Sequence, residues 1–173
     1  MHTEAIVLKK IPTRDFDELV VCYTKQAGKQ SFRAKGALRP HSKQGRHLDV
    51  LNYVTFTAVS CNGHPIIASA TCMYAYQHLK RSLPALSVVF FVLEAFDKLV
   101  YDNEYDPSLW NFLETTLAQC NTGASVVATD WKAVCDERRE TLFEALGHPP
   151  RVLLEDLHPK PFSSLRFLES VIQ

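Results

Sequence analysis

The sequence predicts an α+β protein in which a small antiparallel β-barrel precedes a bundle of helices. Up to about residue 75, short runs of β-branched and aromatic residues alternate with turn residues, as strands do. From Pro84 onward, apolar residues instead recur at helical spacing. Five short strands in so short a stretch favour the five-stranded oligonucleotide-binding type of barrel. We therefore predict a barrel over residues 1–78 and a helical domain over residues 79–173.

Turn residues mark the limits of the predicted strands. The strands cover Glu4–Lys10, Leu19–Thr24, Lys29–Ala34, Leu48–Ser60 and Ile66–Tyr74. The second and third are so close together that a hairpin is the economical pairing. The dipeptide Asn62-Gly63 predicts a turn between the last two strands.

Four helices are predicted in the second part of the chain. They cover Pro84–Tyr101, Pro107–Cys120, Val126–Leu146 and Ser163–Ile172. The first is apolar nearly all round at V-V-F-F-V-L, which is typical of the buried centre of a bundle. The third is followed by Gly147 and two prolines, which is a stop signal.

Charge is distributed unevenly, although the net charge is zero. Residues 1–50 contain ten Lys and Arg against five Asp and Glu, whereas residues 51–173 contain nine against fourteen. Thr24–His47, here the basic segment, has no acid at all. Its seven cations are interleaved with Gly and Pro residues, which form turns. This pattern favours phosphate binding over a surface that is charged only for solubility. We predict that the phosphates of a nucleic acid bind at Lys25, Lys29, Arg33, Lys35, Arg39, Lys43 and Arg46.

Two further groups of side chains have a structural and a functional interpretation. Four aromatic residues of the barrel could stack on bases, but core packing is the commoner role: Tyr23, Phe32, Tyr53 and Phe56. Asp15, Asp17 and Glu18 could hold a divalent ion, although a turn with capping acids is the expected arrangement.

The sequence carries no motif typical of an enzyme, a metal site or a membrane protein. Its five cysteines are scattered without a C-x-x-C pair, so we expect them reduced and buried, with neither disulfides nor zinc. No nucleophile elbow, phosphate-binding P-loop or zinc-protease motif is present, so we expect no catalysis and no cofactor. No signal peptide or apolar run of membrane length is found, which predicts a cytoplasmic protein, associated with the nucleoid if it binds DNA.

The first third of the chain resembles the RecO family of bacterial recombinational DNA repair proteins. The similarity rests on T-E-A-I-V-L near the start and on A-K-G-x-x-R-x-x-S after a Gly-Lys turn. The matching residues are Glu4–Leu8, Asp17, Leu19, Val20, Thr24, Gly28, Lys29, Ala34, Lys35, Gly36, Arg39, Ser42, Leu51, Tyr53 and Phe56. Leu142–Pro149 is similar to the end of the family's central helical region.

The resemblance implies an oligonucleotide-binding barrel, a helical domain and a set of partners. Those partners are single- and double-stranded DNA, RecR, single-strand-binding protein and, indirectly, the RecA recombinase. The family anneals complementary strands and loads the recombinase, and Lys35 and Arg39 match its basic positions. The chain is shorter than typical members and lacks, after His148, the zinc-ribbon-like insertion of many of them. This departure predicts no zinc, and it leaves open whether the tail of single-strand-binding protein still has a pocket.

Two alternatives to DNA binding stay open at this point. An RNA-binding barrel would use the same cations, and an interaction adaptor would place the basic face against an acidic protein. Oligomeric state, strand preference, annealing activity and the surface that would meet RecR have no signal in the sequence.

Overall fold

The structure is a computed structural model, and it describes residues 1–61, 64–126, 128–149 and 162–172. Contacts divide the chain into two compact units. The barrel unit consists of Met1–Ala75 and Asp102–Trp110, and the helical unit of Tyr76–Tyr101 and Asn111–Gln173. The predicted α+β class is confirmed, since a closed barrel is followed by helices. Asp102–Trp110 lies outside the range 1–78 that was predicted for the barrel. The predicted division of the chain after residue 78 stays a prediction.

The barrel consists of five strands: β1 His2–Pro12, β2 Glu18–Thr24, β3 Gly28–Ala34, β4 Tyr53–Cys61 and β5 His64–Tyr74. Their order around the barrel is β1-β2-β3-β5-β4, and β1 closes the circle because it pairs with both β2 and β4. The predicted hairpin of β2 with β3 is confirmed, with Thr24 opposite Gly28. β3 and β5 meet in parallel at Arg33 and Ile66. The turn at Asn62-Gly63 lies outside the described residues.

Alternate strand residues fill the barrel with apolar side chains. Phe32 and Phe56 pack edge to face with their ring centroids 4.8 Å apart. Tyr23 and Tyr53 are also buried, so all four barrel aromatics have the predicted core role. The alternative that they form an exposed base-stacking platform is therefore wrong. Large buried side chains gain most from leaving water, which favours this outcome.

The connection from β3 to β4 differs from the prediction. Lys43–His47 forms a short helix, α1, inside the stretch expected to be a loop. The Asn52 side-chain amide donates hydrogen bonds to the carbonyls of Arg46 and His47 at the end of this helix. Leu51 has a φ of 73°, which is incompatible with a strand. The predicted strand from Leu48 is consequently wrong in its first five residues, and β4 starts at Tyr53.

The helical unit holds the four predicted helices with shifted ends, and one short helix that was not predicted. The helices are α2 Gln77–Arg81, α3 Leu83–Leu99, α4 Pro107–Gly123, α5 Trp131–Ala145 and α6 Ser163–Val171. The first four residues of α4 belong to the barrel unit. α5 begins five residues later than predicted, because the Asp130 carboxylate accepts a hydrogen bond from the backbone N–H of Ala133. The apolar run of α3 is buried as predicted, except at Phe90. Residues 150–161, where the family's insertion would fall, lie outside the described part.

One carboxylate fastens α6 to α3. Glu94 accepts hydrogen bonds from the backbone N–H groups of Ser163 and Ser164, at 2.9 and 2.7 Å. It also pairs with Lys98 at 2.9 Å. Burial alone would raise the pKa of Glu94, but the bonds from Ser164, Lys98 and Ser163 outweigh it and lower the pKa to about 2. The carboxylate is therefore charged at neutral pH and caps α6.

Cysteine burial agrees in part with the prediction. Cys22, Cys120 and Cys135 are buried free thiols, whereas Cys72 is half-buried. Burial raises the pKa of Cys120 to about 12 and that of Cys135 to about 11, so both thiols are uncharged and unreactive at neutral pH. Within the described ranges, no helix is long and apolar enough to cross a bilayer.

Candidate nucleic-acid interface

The first cations of the basic segment lie near the start of β3, and each pairs with an acid. Lys25 contacts Glu4 at 2.8 Å and also lies 5.6 Å from the ring centre of Trp110. Lys29 contacts Asp102 at 3.2 Å and is only 8% exposed. The pKa of Glu4 is lowered by hydrogen bonds from Lys25 and from the Tyr53 hydroxyl, so this carboxylate stays charged at neutral pH. These pairs make the surface here close to neutral.

Lys29 is buried because a segment from beyond the barrel strands lies along the start of β3. The backbone N–H of Asn103 donates to the Lys29 carbonyl at 2.8 Å. The Tyr23 hydroxyl bonds both the N–H and the carbonyl of Asp106, at 3.0 and 3.2 Å. A Cβ at Gly28 would lie 1.9 Å from the Glu104 carbonyl oxygen, and the φ of Gly28 is +69°. Only glycine fits this position.

Arg33 is also paired, at the other end of the strand. Its Nε lies 3.2 Å from Asp17, which additionally accepts a hydrogen bond of 2.7 Å from the backbone N–H of Gly36. Glu18 pairs with Lys10 at 2.9 Å. Asp17 therefore fixes the start of the loop after β3, and Glu18 links β2 to β1. Among the described residues, no group of His, Cys, Asp or Glu is placed to hold a metal ion.

After β3 the chain forms two tight turns and the short helix α1. The backbone N–H of Arg39 donates to the Gly36 carbonyl at 3.1 Å, and that of Ser42 donates to the Arg39 carbonyl at 2.9 Å. The Ser42 hydroxyl then caps α1 by accepting from Gly45 at 3.2 Å. A Cβ at Gly45 would lie 2.4 Å from the Ala37 carbonyl oxygen, so the turns and the helix touch backbone to backbone.

Hydrogen bonds from side chains fasten this region to β5. The Gln44 amide donates to the Ile67 carbonyl at 3.2 Å, and His47 Nδ1 accepts from the Cys72 backbone N–H at 3.1 Å. These bonds fix the loop backbone from which the exposed side chains project. Ordering them on a ligand costs less entropy than ordering a flexible tail.

Four cations project from this rigid region, here called the basic surface: Lys35, Arg39, Lys43 and Arg46. All four are exposed, and none forms an ion pair within the described part of the chain. They line two adjoining open concavities of about 620 and 570 Å³, which share Pro40, His41 and Ser42. Among the described residues that line the two concavities, none is acidic. Such a surface attracts phosphate.

One residue of the same surface was missed by the sequence reasoning. Phe16 is 61% exposed and lines the first concavity with Lys35 and Arg39. It lies in the turn between β1 and β2, one of the loops that bind oligonucleotides in barrels of this type. The only sequence signal was an aromatic residue inside a polar turn.

The first part of the chain matches a known family. Residues 1–76 match the family model described as recombination protein O N terminal. A "DNA repair protein RecO" of Salinibacter ruber is 25% identical over 154 residues, 88% of this chain and 58% of the relative. Proteins of the same description from Shouchella clausii and a Thermoanaerobacter species are 28% and 30% identical. The alignments with these two relatives cover 72% and 68% of this chain, and 50% and 47% of the relatives' own lengths.

The chain is similar to RecO proteins over most of its length. The predicted resemblance to the RecO family is therefore confirmed, and the RecO model spans all five strands and the whole basic segment. The chain spans about half the length of the RecO relatives it matches.

Proposed function

We propose that this chain acts in recombinational DNA repair as a non-enzymatic protein that binds single- and double-stranded DNA through the basic surface. The observation that carries the proposal is the position of four exposed cations on one rigid region, without an acid among them. The family's place in DNA repair gives further support.

Electrostatics provides the mechanism. Cations that neutralise phosphates release counterions and so gain binding free energy without reading the sequence. When two backbones meet at one positive surface, the repulsion between them falls and complementary bases can pair. Strand annealing is the activity that this geometry supports.

The proposed contact set is narrower than the seven predicted residues. Lys35, Arg39, Lys43 and Arg46 carry it, because their charges face solvent. Lys25, Lys29 and Arg33 each pair with an acid, and a phosphate would have to displace that acid. A contact of these three with DNA stays a prediction.

The proposed partners rest on the resemblance to the RecO family alone. We propose that the chain works with RecR to load the RecA recombinase on strands covered by single-strand-binding protein. Because the chain spans about half the length of its relatives, each partner needs its own binding measurement.

The test is binding to a short single strand and to its duplex, followed by annealing of complementary strands. Lys35→Glu/Arg39→Glu should bind both forms at least about tenfold more weakly at low salt and anneal more slowly. Lys132→Glu/Arg166→Glu is the matched control, because it makes the same change in net charge on exposed residues of the helical unit. Equal binding by both variants would contradict the proposal.

The alternatives give different results in the same assay. A matched RNA strand that binds far more tightly than the DNA strand would favour the RNA-binding barrel. No intrinsic binding to either nucleic acid, together with capture of an acidic protein that survives nuclease treatment, would favour the adaptor.

A further inference from the structure

We infer that Phe16 is a stacking residue for an unpaired base of the strand whose phosphates lie on the basic surface. This inference rests on the proposed DNA binding and extends it from the backbone to the bases. It implies that the protein binds single strands more tightly than duplexes, because the bases of a duplex are already stacked on each other.

The Phe16 side chain is largely exposed. A Phe side chain loses favourable free energy when 61% of it stays in water. Phe32 and Phe56 of the same barrel are buried, whereas Phe16 is left outside the core. Packing the core therefore does not account for the place of this ring.

The backbone that holds the Phe16 ring has an unusual conformation. Asp15 and Phe16 have φ angles of 64° and 61°, a region that residues with a side chain rarely adopt. The conformation is fixed from both sides: the Thr13 N–H donates to the Asp17 carbonyl at 2.9 Å, and the Leu38 N–H donates to the Phe16 carbonyl at 2.9 Å. Backbone outliers held this firmly are typical of functional sites.

Cationic side chains lie around the Phe16 ring. Phe16 shares its concavity with Lys35 and Arg39, which can bind the phosphates on either side of a base. Pro40 and His41 are further lining residues, and the part of the chain that the structure describes adds no acid to this lining. An aromatic platform in a positive groove is the arrangement that binds single strands without sequence preference. The site is open, so a base can enter from solvent.

The test compares Phe16→Asn with Phe16→Trp. Asn tolerates a positive φ and so keeps the turn while removing the ring, whereas Trp keeps an aromatic face. The ligands are a short deoxythymidine strand and an abasic strand of equal length, which has the phosphates but no bases. Phe16→Asn should bind the deoxythymidine strand about 5- to 100-fold more weakly and the abasic strand as wild type does. Phe16→Trp should bind both strands nearly as wild type does.

Tyr105→Ala is the matched control for loss of an exposed aromatic residue. Tyr105 belongs to the barrel unit but adjoins Gly28, at the opposite end of β3 and roughly 20 Å of strand away from Lys35. It should leave the binding of both strands unchanged.

The outcomes separate this inference from the proposed function. Normal binding of the deoxythymidine strand by Phe16→Asn, or equal weakening on both strands, would overturn the stacking role. If Lys35→Glu/Arg39→Glu still weakens both strands in that case, the phosphate site stands alone. If that charge variant binds as wild type does, the proposed DNA site itself fails.

Discussion

The two ends of β3 carry similar positive charge in the sequence but differ in what surrounds it. At the beginning of the strand, Lys25 and Lys29 contact Glu4 and Asp102. Beyond its end, the cations of the basic surface face solvent and line two concavities whose described lining residues include no acid. The first region uses its charge to hold the barrel together, and the second leaves its charge available to a ligand.

This difference shows that a run of cations in a sequence is not yet a charged surface. An acid far along the chain, such as Asp102, can neutralise a cation that has no acidic neighbour in sequence. The comparison predicts that changes at the start of β3 lower stability and spare DNA binding, whereas changes on the basic surface do the reverse. The predictions below probe this contrast.

Gly28→Ala should have the largest effect on stability. The added Cβ would lie 1.9 Å from the Glu104 carbonyl oxygen, at a φ of +69°. Left-handed strain and overpacking together should lower the free energy of unfolding by about 2–5 kcal/mol. Chemical denaturation measures it. Gly147→Ala, with a φ of +74° but no atom within 4 Å, is the control for strain alone and should cost less. Equal losses would mean that residues 102–106 do not press on β3.

Asp102→Asn should have a smaller effect at the same place. It removes the charge partner of Lys29, whose side chain is 10% exposed. The free energy of unfolding should fall by about 1–2 kcal/mol, because a mostly buried ammonium loses its carboxylate. Affinity for a short single strand should stay within error of wild type. Tighter or weaker DNA binding by this variant would remove the contrast between the two regions.

Gly36→Ala should lower stability slightly and binding measurably. Gly36 has a φ of +62°, and a Cβ there would lie 3.3 Å from Arg39 Nε. We expect a loss of about 1 kcal/mol in unfolding free energy. Because Arg39 must move, affinity for a single strand should fall roughly threefold. Gly147→Ala should match the stability loss without the change in affinity. If both variants bind normally, the position of Arg39 is unimportant.

The smallest expected effect is a pH dependence at the start of β3. Hydrogen bonds from Lys25 and Tyr53 lower the pKa of Glu4 from its ordinary value of 4.5. The stabilisation by Glu4 should therefore be complete above about pH 4.5 and decline as the pH falls through the lowered pKa. Glu4 is partly exposed, so solvent screening keeps this term below about 1 kcal/mol. Denaturation of wild type and Glu4→Gln from pH 7 to pH 3 should show their difference shrinking. A constant difference would contradict the role of the Glu4 charge.

Much of the fold was predictable because its signals are local. Strand alternation, the Gly28 turn and the caps of the helices depend on residues within a few positions of each other. The α1 region was mispredicted because the residues after the helix alternate in polarity as a strand does. The hydrogen bonds that end the helix come from the Asn52 side-chain amide, which a sequence pattern does not reveal. Leu48–Asn52 therefore resembled the beginning of β4.

The site was predictable only as a charged stretch. The sequence shows seven cations but not the ion pairs of Lys29 with Asp102 or of Arg33 with Asp17, which depend on folding. Phe16 was missed for a related reason. Its exposure follows from a turn held by Leu38, which is remote in sequence. The only local signal, an aromatic residue in a polar turn, is too weak to distinguish an exposed ring from one that packs in the core.

The most direct test of the central claim is the salt dependence of single-strand binding by two double variants. Lys35→Ala/Arg39→Ala removes two charges from the basic surface, and Lys25→Ala/Arg33→Ala removes two paired charges from the same segment. If four cations contact phosphate, the wild-type slope of log K against log salt should be about −2.8. The first variant should have a slope near −1.4, and the second should keep the wild-type slope. Equal slopes for the two variants, or a shallower slope for the second alone, would contradict the assignment of DNA binding to the basic surface.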